Sequence, residues 1–363
     1  MSIIIFLAVL FVLILVHELG HFATAKWFKM RVDEFGIGFP PKLFGIRKGE
    51  TEYTFNLFPI GGFVKIYGED SVGIEDSEGV AQTEGAFTSK AKWKQAIVLV
   101  AGVTMNVLFA WLLVAIAFGI GVRTAVSEAD ASPSAELTVA TVLSDGPAGE
   151  GDLQVGSKLT HVESNGETLT ELTPSAFDAF VQSHTNDTIV LTIAEGETVE
   201  VSPRQNVIEG NEEKYAVGIA LAQIDVVSRG LVDSVVDSFF YVVSSLKAIV
   251  VGVTTLIAQS VMMQADFSQV AGPVGIVGLV GEASAFGITT LLIFTAFISL
   301  NLAVINILPF PALDGGRLLF VAIEAIKGSP IKPQWVATLN TIGFALLILL
   351  MVAVTWNDIA KLI

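Results

Sequence analysis

The chain has 363 residues, of which 52% are hydrophobic and only 15% charged. Soluble domains carry about 25% charged residues, so this composition excludes an ordinary water-soluble protein and points to membrane spans. The formal charge of −16 argues against nucleic acid as a partner, and the absence of cysteine rules out disulfides and thiolate metal sites.

The first predicted element is an apolar span over residues 3–22, which ends in VHELGHF. It lacks a basic leading region and a small-x-small cleavage site, so it is expected to be retained rather than removed as a signal peptide. On a helix, His17 and His21 lie four residues apart on one face. With Glu18 they form the H-E-x-x-H arrangement, two metal ligands and a glutamate placed beside the attacking water. The competing interpretation is a chance match in which the histidines satisfy local hydrogen bonds. Ionisable groups at membrane depth cost several kcal/mol unless compensated, and a metal supplies that compensation.

The loop that follows holds ten Lys and Arg residues between Lys26 and Lys94. The positive-inside rule makes it cytoplasmic, with the N-terminus outside and a second span, 96–120, leading back out. Within the loop, VDEFGIGF, EYTFNLF and GGFVKIYG are short, aromatic and β-branched, and predict strands of a sheet tucked against or into the bilayer.

Residues 120–238 carry 5 Lys/Arg against 20 Asp/Glu, so most of the negative charge belongs to one extracytoplasmic module. Its bounds are read as 124–225, with an α/β core over 135–203. AELTVATVL, SKLTHVES and DTIVLTIAE predict strands, DGPAGEGDLQVGS and NGET turns, and TPSAFDAFVQSH a helix with a threonine cap. The order of these motifs resembles a PDZ domain of the bacterial protease type, present in one copy, which implies a peptide or protein ligand. His161 and His184 fall in this module and are expected to be surface polar residues. Residues 204–237 carry no clear pattern.

Segment 238–264 is apolar but interrupted by Lys247 and several polar residues. It is expected to lie in a non-spanning, interfacial stretch over 226–287. The C-terminal part, 288–363, holds spans 289–308 and 336–355. Between these spans, NLAVINILPFPALDGGRLLF places Asp314 among Pro309, Pro311, Gly315 and Gly316, which break a helix. Broken backbone at membrane depth is tolerated only where it is buried or lines a cavity. Two histidines and a water leave one tetrahedral position open, and Asp314 is the best candidate for it. The alternative is a turn aspartate at the membrane edge. Topology sets a condition: if 238–264 crosses, Asp314 ends on the wrong side.

HELGHF, GGFVKIYGED, AGVTMNVLFAW, AGPVGIVGL and SLNLAVINILPFPALDGG occur in the order seen in site-2 proteases, the intramembrane zinc metalloproteases. Over essentially the whole chain the sequence resembles this family, closest to its bacterial regulator-of-sigma-E protease group. The resemblance implies a multi-pass α-helical protein of the bacterial inner (plasma) membrane, with about four transmembrane helices, a membrane-associated β-hairpin sheet and the inserted PDZ-like domain. It implies one Zn²⁺ per chain held by His17, His21 and Asp314, with Glu18 as general base. Asn306, and more weakly Asn301, are implied in substrate binding, as is the β-loop at Gly61, Gly62, Phe63 and Val64, which would meet the substrate as an extended strand. The implied substrates are single-pass transmembrane proteins such as anti-sigma factors or signal-peptide remnants, cut after a first cleavage outside. Three features depart from the family pattern: one PDZ-like domain rather than two, Val103 where proline is usual, and Arg317 where histidine is common after LDGG.

Two other classes compete. A PDZ-bearing membrane scaffold would use the metal structurally and close its fourth position with protein. A metal transporter would distribute ionisable residues through several spans rather than cluster them at one depth.

Overall fold

In lipid every backbone polar group must find its partner within the chain, so the apolar N-terminal run folds as a helix. This is α1, Ser2–Trp27. At 1.5 Å per residue it is about 39 Å long, enough to pass through a hydrocarbon core of about 30 Å. Its buried residues, Leu13, His17, Gly20, His21 and Ala25, fall on one stripe. The computed structural model describes residues 1–69, 84–143, 146–149, 151, 153–194, 196–207, 213–262 and 271–361.

β1 (Val32–Lys48) and β2 (Thr51–Ile66) form one antiparallel hairpin with several register shifts. Glu34, Phe35, Gly36 and Ile37 pair with 62–65 on one side and with 52–55 on the other, while 44–48 pair with 51–55. Four segments therefore lie side by side in the order 62–66, 32–37, 51–56, 42–48. The three predicted stretches occupy the first three places. KLFGIRK, the fourth, escapes a pattern reading because its lysines and arginine dilute the strand signal, and the tight turn at Gly49 (φ +66°) puts it in register. Asp70, the last residue of GGFVKIYGED, lies outside the described residues. The hairpin leaves Phe39, Leu43, Phe44, Ile46, Leu57 and Phe58 exposed, an apolar surface of the kind that meets lipid.

α2 (Lys92–Ile120) packs antiparallel on α1. Small residues allow the approach: a Cβ on Gly20 would stand 2.4 Å from the Ala101 carbonyl oxygen.

Residues 121–228 form a separate compact unit, close to the predicted 124–225. It contains β3 (Val122–Val126), β4 (Glu136–Val142), β5 (Leu159–Ser164), β6 (Glu167–Thr168), α3 (Pro174–Ser183), β7 (Ile189–Ile193), β8 (Thr198–Val201) and β9 (Ile219–Val227). The sheets run β3-β9-β4 and β6-β5-β7-β8. Leu137, Leu159, Val162, Phe177, Ile189 and Leu191 share one apolar core. Each predicted strand and the helix are present, and Thr173 caps α3 by accepting from the Ala176 N–H at 3.2 Å. Asn165 and Gly166, both at positive φ, make the tight turn of NGET. Asp145, Glu150 and Asp152 of the other predicted turn lie outside the described residues. β9, in the unassigned 204–237, is the middle strand of its sheet, and pairing with β3 brings the two ends of the unit together.

The first unit resumes with α4 (Leu231–Val261), α5 (Pro273–Ala285), α6 (Ile288–Ile307), α7 (Asp314–Lys327) and α8 (Pro333–Ala360). α4 starts earlier than the predicted 238–264 and is continuous. Its polar interruptions are absorbed locally, as Ser244, Thr254 and Ser260 donate to carbonyls three or four residues back. Among the described residues α1, α2, α4, α6 and α8 are long and apolar enough to cross a membrane, so length and composition allow five spans where about four were expected. Several contacts fix where the helix ends lie within this unit. Gly119 at the end of α2 meets Ser234 of α4, and Ser2 of α1 meets Gly281 of α5. Asp358, near the end of α8, accepts from the Gly272 and Gly275 N–H groups at the start of α5 (3.0 and 2.8 Å).

Candidate metal centre

The buried stripe of α1 turns both imidazoles toward α2. His21 Nδ1 donates to the Val98 carbonyl at 2.8 Å, which directs its Nε2 inward. His17 Nε2 lies 3.1 Å from His21 Nε2, and the Asp314 carboxylate lies 2.9 Å from the first and 3.4 Å from the second. A tetrahedral ion bonded at about 2.0–2.1 Å needs ligand atoms about 3.3 Å apart, so these three edges fit one zinc-sized ion. Both histidines are buried, at 6% and 8% exposure. Gly102 of α2 backs the pair, and a Cβ there would stand 2.4 Å from His21 Nε2 and 2.8 Å from His17 Nε2.

Asp314 arrives through the break between α6 and α7. α6 ends at Ile307, Ala312 takes φ +74°, and α7 begins at Asp314. The two glycines that follow allow the chain to fold back so tightly: a Cβ on Gly315 would stand 2.2 Å from the Ile307 carbonyl oxygen, and one on Gly316 2.2 Å from that of Phe310. The break lines a cavity of about 220 Å³ with Ala312, Leu313 and Asp314, opposite Ile14, His17 and Glu18 and beside Leu302 and Asn306.

Nothing in a motif fixes how Glu18 meets the loop, but the structure does. The outer edge of segment 62–66 faces α1. Gly62 approaches the Glu18 side chain, Gly61 lies against Ile14, and the Val64 main-chain N–H meets the Glu18 carboxylate. Phe63 instead covers Gly36 and stacks with Phe39, while the Val64 side chain packs into the apolar cluster of Met30 and Val98.

The chain matches the model of peptidase family M50 over residues 5–350. It belongs to peptidase family M50. A homologue from Clostridium perfringens is 35% identical over 96% of this chain and 95% of its own. The zinc metalloprotease RasP of Oceanobacillus iheyensis is 30% identical over 99% of both chains, and the regulator of sigma-W protease RasP of Bacillus subtilis 29% over 99% of both.

Within this M50 peptidase Asn301 does not reach the cavity. Its amide donates to the Phe297 carbonyl on its own helix at 2.8 Å. Five residues advance a helix by about 500°, so Asn301 and Asn306 stand about 140° apart around α6. His184 is a correction of another kind: it is buried at 7% exposure, stacked on Phe180 at the end of α3, rather than a surface group. His161 is exposed beside Glu163. Arg317 pairs with Glu69 at 2.5 Å, tying α7 to the residues that follow β2. Asn106 of α2 was not anticipated. It is fully buried and its amide lies 3.3 Å from His17 Nδ1. The available signal was a lone asparagine inside an apolar span.

Gly102→Ala should displace both imidazoles, since its methyl group would occupy the space beside their Nε2 atoms. A metal affinity at least about 10-fold weaker is expected, by analogy with lost supporting contacts at metal sites, and chelator competition measures it.

Proposed function

We propose that this M50 peptidase is an intramembrane zinc endopeptidase that cuts single-pass transmembrane proteins. The observation that carries this is the convergence of His17, His21 and Asp314 beside Glu18, at the break between apolar helices. Zinc, when bound, supplies Lewis-acid polarisation of the scissile carbonyl and activation of water near neutral pH. Glu18 takes the proton of the attacking water and passes it to the leaving amide nitrogen. Asn306, in the same cavity, donates to the substrate backbone or to the developing oxyanion. A transmembrane helix hides its amides, so the substrate unwinds locally and pairs with the edge of segment 62–66, through Gly61, Gly62, Phe63 and Val64 main chain.

The membrane arrangement is inferred from charge and helix contacts. Lysines and arginines between α1 and α2 favour a cytoplasmic loop, an outer N-terminus and an outer inserted module. α1 runs antiparallel to α2, as His17 near Asn106 and Gly20 near Ala101 require. α6 does too, since Ser299 meets Asn106 while Asp314 beyond its end meets the histidines at the level of Gly102. The start of α4 (Ser234 by Gly119) and the start of α6 (after Gly281 by Ser2) then share the outer side. No net crossing is made between them. α5, about 20 Å long at 1.5 Å per residue, is too short to return across the bilayer. α4 is also more amphipathic than α1, α2, α6 and α8, which supports an interfacial position and four spans. The inserted module is taken as a PDZ-like peptide-binding domain that presents or gates substrates. The name of the Bacillus subtilis relative, a regulator of sigma-W protease, supports single-pass anti-sigma factors as the substrates. The bacterial inner membrane as location and signal-peptide remnants as further substrates rest on the sequence resemblance alone.

A scaffold with a structural metal would need a fourth protein ligand, and among the described residues the cluster offers three. Their confinement to one depth also disfavours transport. Reconstituted in liposomes, the protein should cut a single-pass reporter inside its membrane segment and stop when zinc is chelated. Cutting only outside the span, or cutting that survives chelation, would overturn the proposal.

A further inference from the structure

His21 and His17 present Nε2 to the same point, and each needs its Nδ1 held to do so. A neutral imidazole that binds metal through Nε2 carries its proton on Nδ1, and that proton needs an acceptor. For His21 the acceptor is the Val98 carbonyl. For His17 the polar group within reach of Nδ1 is the Asn106 side-chain amide, whose Nδ2 stands at 3.3 Å. Asn106 Oδ1 is buried and, among the described residues, has no hydrogen-bond partner. A half-turn of the amide exchanges its nearly identical oxygen and nitrogen without moving the helix.

The geometry points to Asn106 as a positioning residue: its Oδ1 accepts from His17 Nδ1–H and thereby sets the tautomer and ring orientation that aim Nε2 at the metal. This rests on the zinc site proposed above. The surroundings hold the amide in place. Asn106 is wholly buried, and Ser299 of α6 donates to its main-chain carbonyl at 2.9 Å, so α2 and α6 are pinned at the depth of the histidines. Asparagine suits the task because an apolar residue of the same size would leave the imidazole N–H unpaired in a dry interior.

The test is zinc affinity, by chelator competition on purified protein in detergent. Asn106→Leu should weaken zinc binding about 10–100-fold, the range for lost supporting contacts at metal sites. Asn106→Asp, which keeps an acceptor and has no donor, should stay close to wild type. Ser299→Ala, which loosens the same helix contact without touching His17, should also stay close. Leucine binding zinc as tightly as wild type, aspartate failing as badly as leucine, or Ser299→Ala matching the leucine loss would each overturn the assignment. Should the leucine variant not fold, nitrogen spectra of the zinc-loaded wild type decide: a proton on His17 Nδ1 supports the assignment, and metal on Nδ1 overturns it. A wild type that binds no zinc would remove the site itself, an outcome distinct from wild-type binding without dependence on Asn106.

Discussion

A Glu18→Gln variant in lipid is expected to lose about 10²–10⁴-fold in kcat, the usual contribution of a positioned general base, while keeping its zinc. Glu18 stands between the two histidines in sequence, but it is not among the three donors that converge. Its carboxylate faces the cavity and the Val64 N–H instead. Glutamine preserves size and the ability to accept that hydrogen bond, yet it cannot take a proton from water at neutral pH. Turnover of a membrane-embedded reporter, measured beside metal content, separates the outcomes. Undiminished kcat would dismiss Glu18 as the base, and zinc lost in proportion to activity would make it a ligand.

Asp314→Ala should act on the metal itself. The substitution removes one of three donors and leaves His17 Nε2 without the carboxylate at 2.9 Å. Loss of a direct ligand must exceed the loss of a supporting contact, so zinc affinity should fall by more than about 100-fold, with cleavage abolished. Chelator competition reads the first effect and the reporter the second. His161→Ala, at an exposed position in the other compact unit, should change neither. A variant at Asp314 that retained zinc would show that the fold-back at Gly315 and Gly316 serves only the chain path.

Much of the centre was legible because its signals are local. Two histidines at i and i+4 share a helix face whatever surrounds them, and prolines with paired glycines break a helix in any context. The contrast between Asn301 and Asn306 was equally available in principle from helical phase, but which phase faces the cavity depends on how α6 packs. The fourth hairpin segment, 42–48, and β9 were invisible for a related reason: their pairing partners are set by register and by distant chain, not by their own composition.

By itself the sequence determined that this is a membrane protein with an acidic inserted module, a histidine pair on one helix face and an aspartate at a helix break. Tertiary structure alone decided that the three donors meet with edges of 3.1, 2.9 and 3.4 Å, that Gly102 leaves room for them, and that Asn106 stands behind His17. The physical reason is range. Periodicity and turn chemistry act over a few residues, whereas the distance between His17 and Asp314, 297 residues apart, exists only once α1, α2 and α6 have packed.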